Sequence, residues 1–469
     1  MLHRAFHIGS ALLVSALLIL GIVSGCSSVA TKKAFYVPIT AELRAHNYET
    51  ARQQIEQARD KNKYSKKDRL IYFIDAGLAN HYAGDYQQSN LKLAEAERAA
   101  EELFTKSVSR AVASMLLNDN VLEYAGEDFE VLYTNLIMAL NYNALGEYED
   151  AFVEIRRANE KLDLLEQKYV DMAREFRMAA EEDTSVVAID YEAKKVRFFN
   201  DAFARYLSLH MYAAEGNADD ARIDFDLLKD AFATQPHIYD FDMPEVRYHS
   251  EDQAILSVVG LTGLAPVKEA LNLRLRTDKQ LKLAQIMYDD PERANTEYSH
   301  LPMDVKADYY FKFSIPMMVA QPSVVSRINV FANNELVGHL QLIEDVSKVA
   351  IETFEAKKSL IYLRTVARAI TKGLANHKAK KKVDDEGLAG WLKKAVVDVV
   401  SDALENADLR TTQFLPGNIH VGDFEIAPGL YRLRIEFEDF DGNLIYRELI
   451  DEFEVKKGRF NLVEAFTPN

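Results

Sequence analysis

The sequence predicts an α+β multidomain chain: an all-α helical-repeat half, then a C-terminal α+β domain with an antiparallel sheet and two amphipathic helices. Three observations carry this. A helix-Gly-helix pattern recurs through the first half, alternating apolar runs bounded by turn residues replace it after about residue 255, and two stretches of helical period interrupt those runs. With 48% apolar and 10% aromatic residues among 469, the chain has enough apolar mass for sizeable cores, which argues against disorder. A formal charge of −17 disfavours nucleic acid and anionic lipid as partners of the chain as a whole.

The expected organisation runs in order: a signal peptide over 1–25, a lipidated tether over 26–34, a helical repeat domain over 35–235, a connector over 236–254 and an α+β sandwich-like domain over 255–469. At the start, Arg4 with His3 and His7 precedes the uncharged run Ile8 to Val23. That is an n-region and an h-region, shorter than the roughly 20 residues of a membrane-spanning helix. Val23, Ser24 and Gly25 then lead to Cys26, the single cysteine of the chain. These four residues resemble the lipobox of bacterial lipoproteins. The resemblance implies cleavage before Cys26, acylation there and stable anchoring by two or more acyl chains. Ser27 stands where the retention signal of many inner-membrane lipoproteins has Asp, which implies the periplasmic face of the outer membrane.

In the repeat half, "LANHYAGDYQQSNLKLAEAE" (78–97), "MALNYNALGEYEDAFVEIRRANEKL" (138–162) and "LSLHMYAAEGNADDARIDFDLLKDAF" (207–232) each join two apolar helices through a glycine: Gly84, Gly146 and Gly216. The glycines stand 62 and 70 residues apart, about twice a 34-residue period. "AELRAHNYETARQQIEQARDKN" (41–62) supplies an earlier copy. A left-handed turn at each glycine ends the first helix. The aromatics Tyr48, Tyr86 and Tyr148 are expected in the core between paired helices, and Ala51, Ala151 and Ala221 at their close approach. These stretches resemble tetratricopeptide repeats, which implies a solenoid whose concave groove takes a protein or peptide partner.

The second half opens with a strand-turn-strand signal around Gly263-Leu264-Ala265-Pro266, and "SRINVFANNELVGHLQL" reads as a hairpin about Asn333-Asn334. Helical spacing covers about 343–377, with Val346, Val349, Ala350 and Phe354 on one face, and about 387–408, whose stripe includes Trp391. Between them lies "HKAKKK" (377–382), expected as a solvated linker because Asp384-Asp385-Glu386 follow it; the functional alternative is a contact with a lipid headgroup or peptidoglycan. From Gly429 to Val455 the chain alternates again around a turn at Asp441-Gly442, placing Tyr431, Leu433, Ile435 and Phe437 on one face of an antiparallel sheet.

Several pieces of this half resemble a family of bacterial tetratricopeptide-containing lipoproteins of no established activity. They are Gly263 to Lys268, Ile343-Glu344-Asp345-Val346, Arg364-Thr365 with Arg368 and Lys372, Ala407 to Arg410, Leu415-Pro416 and Ala427-Pro428-Gly429. The family often has an aromatic soon after the arginine matching Arg410, whereas this chain has Thr411-Thr412. Genes of that family often neighbour those of small lipoproteins that activate peptidoglycan synthases, so the resemblance implies an envelope role.

Chemistry-bearing patterns are sparse. No His-Glu-x-x-His, Gly-x-Ser-x-Gly or Gly-x-x-x-x-Gly-Lys stands in the chain. His237, Asp240, Asp242, Glu245 and His249 cluster within fifteen residues, as metal ligands or as a polar connector, and the connector is the expectation. Arg364, Arg368 and Lys372 form a basic row for an anionic ligand or for neighbouring acids. The expected function is a membrane-anchored, periplasm-facing scaffold or adaptor that binds an envelope protein, with no catalytic residue, metal, cofactor or nucleic acid. The alternative is an envelope enzyme acting on peptidoglycan or exported polysaccharide through two nearby buried acids.

Overall fold

In the computed structural model, residues 33–109, 120, 122–182, 195–248, 253–278, 280–281, 283–288, 299–302, 310–383 and 407–469 are described. The first half folds as successive helix pairs: α1 (Tyr36–Arg44) with α2 (Tyr48–Asp60), α3 (Arg69–Tyr82) with α4 (Tyr86–Ser109), α5 (Asp128–Leu145) with α6 (Tyr148–Glu182), and α7 (Ala202–Ala214) with α8 (Ala218–Thr234). Connections of two or three residues make each pair an antiparallel hairpin.

All four hairpins close the same way. The backbone N–H after the turn residue reaches the carbonyl five residues back: Asn47 to Glu42, Asp85 to Asn80, Glu147 to Tyr142 and Asn217 to Tyr212. This bond requires a left-handed residue before it. Gly84, Gly146 and Gly216 supply it with φ of 77°, 76° and 79°, and His46 takes the same place with φ 59°. His46 carries the strain of a side chain there because it stacks on Tyr446 at 3.7 Å and hydrogen-bonds Thr467 Oγ1. A Cβ on Gly146 would meet nothing within 4 Å, so substitution there tests the backbone alone. Gly146→Val should cost about 1 kcal/mol or more. Thermal melting checks this, and an unaltered midpoint would show that the turn does not need its left-handed residue.

Five residues after each turn residue stands a small side chain, Ala51, Ser89, Ala151 or Ala221, completely buried where the paired helices cross. The aromatic expected in the core is a different matter. Tyr48 and Tyr86 are half-buried, and Tyr148 is 36% exposed. As the first residue of the second helix, it lies beside the turn, so its burial depends on what covers the hairpin's end. Over Tyr48 that cover is the last strand: its hydroxyl donates to Phe466 O at 2.8 Å.

Strands β1 (Ala254–Thr262), β2 (Leu264–Asp278), β3 (Leu283–Tyr288), β4 (Ser299–Pro302), β5 (Tyr310–Gln321), β6 (Arg327–Ala332), β7 (Glu335–His339) and β8 (Gln341–Asp345) precede helix α9 (Val346–Val383). Then come β9 (Asn418–Ile426), β10 (Gly429–Glu438), β11 (Leu444–Val455) and β12 (Asn461–Thr467). They form three four-stranded sheets, in the orders β12-β1-β9-β8, β11-β10-β6-β7 and β4-β3-β2-β5. Pairing is antiparallel except for β1 with β12. The fold is therefore α+β.

The first sheet is buried on both faces. One face, with Leu256, Val258, Val463 and Ala465, packs against Ile328, Val330, Leu433, Ile435 and Phe437 of the second sheet. The other, with Val259, Leu261, Ile419, Val421 and Phe466, joins a core that includes Leu70, Leu78, Phe129, Leu136, Phe203 and Leu207 of the first helices. The segment 236–254 adds Ile238 and Tyr239 to that same core. Helices α3, α5 and α7 bury most of their residues, as helices covered on both sides must. Helices α2 and α8 bury a single stripe.

This layering corrects the expected concave groove. Its inner side is filled by the first sheet and by the non-helical segment 407–417, in which Phe414 and Leu415 are fully buried. Leaving so much apolar surface on α3, α5 and α7 open to water would be unfavourable, and the chain covers it with itself.

Helix α9 begins at Val346, capped by Asp345 Oδ1 accepting from Lys348 N at 3.0 Å, so residues 343–345 expected in the helix end β8 instead. It runs through 377–382, which therefore are the last turns of a helix and not a linker. Cys26 with Val23, Ser24 and Gly25, and the expected helix over 387–408 with Trp391, lie outside the described residues, save Ala407 and Asp408, which are not helical.

Candidate functional site

The inner helices carry acids in apolar runs, Asp75 in "LIYFIDAGLA" and Glu130 in "DFEVLY", and both are fully buried. A carboxyl group there must find donors. Asp75 accepts from Tyr36 and Tyr64 hydroxyls at 2.7 and 2.9 Å and from Thr412 Oγ1 at 2.6 Å. Glu130, in the first turn of α5, accepts at one oxygen from Thr411 Oγ1 and Thr412 N, both at 2.7 Å. Its other oxygen accepts from Tyr124 and from Glu127 N at 2.6 and 2.8 Å. Thr411 and Thr412, standing where the similar family has an aromatic, thus bind the segment 407–417 to α3 and α5.

Beside them Arg410 donates to Asp408 and Asp68 carboxylates at 2.8 and 3.0 Å and to Leu122 O at 2.9 Å. Lys268, buried in β2, pairs with Glu127, which also receives Lys357 of α9 at 2.9 Å. Both Arg410 and Lys268 lie 5.2 Å from the Tyr124 ring centre.

Five carboxyl groups (Asp68, Asp75, Glu127, Glu130, Asp408) meet three cations (Lys268, Lys357, Arg410) here. The imbalance falls on the two acids held by neutral donors. Burial pushes Asp75 up to about 7, against the pull of its hydroxyl donors, and Glu130 is raised by burial and then by the Glu127 charge. At Asp408 burial acts upward, but the Arg410 charge outweighs it and holds the group at about 2. With Asp75 at about 7, the lattice approaches balance near neutral pH by keeping that group partly protonated, and the shift at Glu130 acts in the same direction.

Two further buried acids meet at the start of helix α7, and one of them, Glu344, ties it to the sheets. Asp201 caps α7 through Ala204 N at 2.7 Å and accepts from Tyr133 at 3.0 Å; burial raises it to about 6. Glu344 of β8 accepts from Tyr239 at 2.9 Å and from Ala202 N at 3.1 Å, and burial followed by the Asp201 charge raises it well above the usual range. Asp423 of β9 gathers Tyr206, Ser257 and Arg247 N at 2.8, 2.7 and 3.0 Å, with His210 Nε2 at 3.2 Å. On α3, buried His81 contacts Glu464 of β12 at 2.7 Å and Asn141 at 2.6 Å. The contacts of Glu344 with Ala202 N, of Asp423 with Tyr206 and His210, and of His81 with Glu464 cross from the helical half to the sheets. The arrangement fixes one half on the other and makes that fixing sensitive to protonation.

The residues singled out from sequence scatter by comparison. Within the connector's His and acid cluster, His237 Nε2 lies 4.0 Å from Glu352, Asp240 pairs with Lys348, and Glu245 pairs with Arg247; His249 is outside the described residues. No group of three or more His, Cys, Asp or Glu side chains placed to hold a metal occurs among the described residues. Arg364 is half-buried on α9, and the side chains of Arg368 and Lys372 lie outside the described set. The lattice itself was partly marked in sequence: Lys268, Glu344, Asp408 and Arg410 all sit in motifs of the family resemblance. Asp68, Asp75, Glu127 and Glu130 carried only the weak signal of an acid within or beside an apolar run. Compared with family models, curated proteins and solved structures, the chain matches none.

Proposed function

We propose that this chain is a lipid-anchored adaptor on the periplasmic face of a bacterial outer membrane, carrying a protein partner of the cell envelope. The observation that carries the reading is the fourfold hairpin with one closure, a left-handed turn residue and a buried small residue five places on. Taken as tetratricopeptide-like repeats, these hairpins form a row built for protein contact. The lipobox resemblance at Val23 to Cys26 supports the anchor, and the family resemblance supports an envelope setting.

With the inner face covered by the chain itself, the partner surface falls on the outer helices. There α4, α6 and α8 hold Leu91, Leu164 and Ile223 in solvent, 60%, 72% and 47% exposed. Apolar side chains spaced along adjacent helices suit a protein surface better than a sugar.

Photo-crosslinking in intact cells of the host tests this, with the crosslinker at Leu164 of the full lipidated chain. One envelope protein, captured reproducibly and lost from the Cys26→Ala chain together with its membrane fractionation, is the expected result. Glycan fragments as the sole product would overturn the adaptor reading in favour of wall binding or glycan chemistry. Unchanged fractionation of Cys26→Ala would overturn the anchor.

A further inference from the structure

The loop between α2 and α3 reverses the sign of the chain's charge. Residues 59–67 read RDKNKYSKK, five Lys and Arg against the single acid Asp60, on a chain whose formal charge is −17. Two buried side chains fix this loop from within: Tyr64 donates to Asp75 Oδ2 at 2.9 Å, and Asp68 pairs with Arg410 at 3.0 Å. Asn62, at φ 52°, turns the chain after α2, and Lys63 N closes the turn on Ala58 O at 2.8 Å. The lysines around these fixed points are left to solvent: Lys61, Lys63 and Lys66 are exposed and Lys67 is half-buried. None of the four pairs with an acid among the described residues, whereas Arg59 contacts Glu56 and Tyr72.

The start of α1 lies against the same loop. Tyr36 and Tyr64 donate to one oxygen of Asp75, at 2.7 and 2.9 Å, and the Phe35 and Tyr64 rings meet with centres 5.0 Å apart. The chain therefore enters the described fold beside the lysines. Phe35 stands nine residues after Cys26, a reach of at most about 30 Å. Val37, in the first turn of α1, adds an apolar side chain in solvent.

We infer that Lys61, Lys63, Lys66 and Lys67 bind the anionic phospholipid surface of the membrane in which Cys26 is anchored. The inference rests on the anchor reading, which supplies the partner: a patch tethered within about 30 Å of an acyl chain meets headgroups at high effective concentration. An anionic bilayer repels a chain of this net charge, and its field reaches about 8 Å at physiological salt. The face beside the tether is the one held within that field, and four lysines in seven residues suffice for an electrostatic membrane contact. An acidic protein would complement the lysines equally, but nothing ties it to the place where the chain enters the fold.

Amine footprinting of the full lipidated chain on vesicles tests this, with neutral phosphatidylcholine set against vesicles containing about one third phosphatidylglycerol. Partition into the neutral vesicles reports the acyl anchor by itself, so failure of the anchor and failure of the loop are read separately. On anionic vesicles Lys61, Lys63 and Lys66 should be labelled about tenfold more slowly than on neutral ones, and high salt should remove the difference. Lys229 of α8, half exposed, should be labelled equally on both. Lys61→Glu with Lys63→Glu and Lys66→Glu should lower partition into anionic vesicles about tenfold, at an unchanged melting temperature and unchanged partition into neutral ones. Should that variant melt early, Lys61→Gln with Lys63→Gln and Lys66→Gln takes its place. Equal labelling on both kinds of vesicle, or an anionic preference that survives charge reversal, overturns the inference. Protection in intact cells that anionic vesicles do not reproduce assigns the lysines to an acidic protein or glycan and overturns it too.

Discussion

Arg410→Ala should destabilise the fold by about 3–5 kcal/mol, the range expected when one partner of a buried ion cluster is removed. Arg410 is almost fully buried and contacts Asp408, Asp68 and Leu122 O at once. Its loss leaves two buried carboxylates facing each other's charge, with Lys268 the nearest source of relief for Asp408. The segment 407–417 then loses its hold at one end, and with it the cover over the inner faces of α3 and α5. Guanidinium denaturation provides the measurement: the midpoint should fall sharply while the slope of the transition stays close to wild type. Arg410→Lys should recover part of the loss, since an ammonium restores the charge without the forked geometry that serves three acceptors. A midpoint within error of wild type for Arg410→Ala would mean that the lattice does not hold the two halves together.

The second large effect is a dependence on pH that traces to Asp75. An unfolded Asp ionises near 3.8, whereas burial holds the native group at about 7. Below about pH 4 both states are protonated and the group contributes no difference. Between about 4 and 7 the unfolded chain has released a proton that the native chain retains, so stability declines as pH rises, by about 4 kcal/mol over the window. Asp201, raised to about 6, acts in the same direction. His420, pushed down to about 4 by burial, opposes them, because it gives stability that is lost as pH falls from 6.5 to 4. The informative quantity is therefore the difference between Asp75→Asn and wild type. Relative to wild type the amide variant should become more stable by several kcal/mol from pH 4 to pH 8, read from denaturant melts across the range. A difference that does not change with pH would show that Asp75 is not the group responsible.

Both effects arise where the two halves meet, and that junction was only partly legible in the sequence. The hairpins were legible because their signals are local. A glycine at the left-handed position and a small residue five places later are dictated by the turn itself. The strands on either side of Asn333-Asn334 and Asp441-Gly442 were legible for the same reason. The burial of Tyr148 was misread because an aromatic at the head of a helix is buried by its neighbours in space, and the neighbours of Tyr48 and Tyr148 differ. His46 shows the converse: no local rule places a histidine at positive φ, and only its stack on Tyr446, some 400 residues away in sequence, makes the position tenable.

The sequence by itself determined an α+β chain, the position of each hairpin turn, the small residues at helix crossings, and a lone cysteine at the end of an apolar leader-like run. These follow from periods and turn chemistry that act over a few residues. Only the tertiary structure decided that the inner helix faces are closed by the chain's own first sheet and by residues 407–417. Only it decided that Asp75 and Glu130 share a buried lattice with Arg410 and Lys268. The physical reason is that a carboxyl group in an apolar run is intolerable or stabilising according to the donors that arrive from elsewhere in the chain, and sequence spacing holds no record of their arrival.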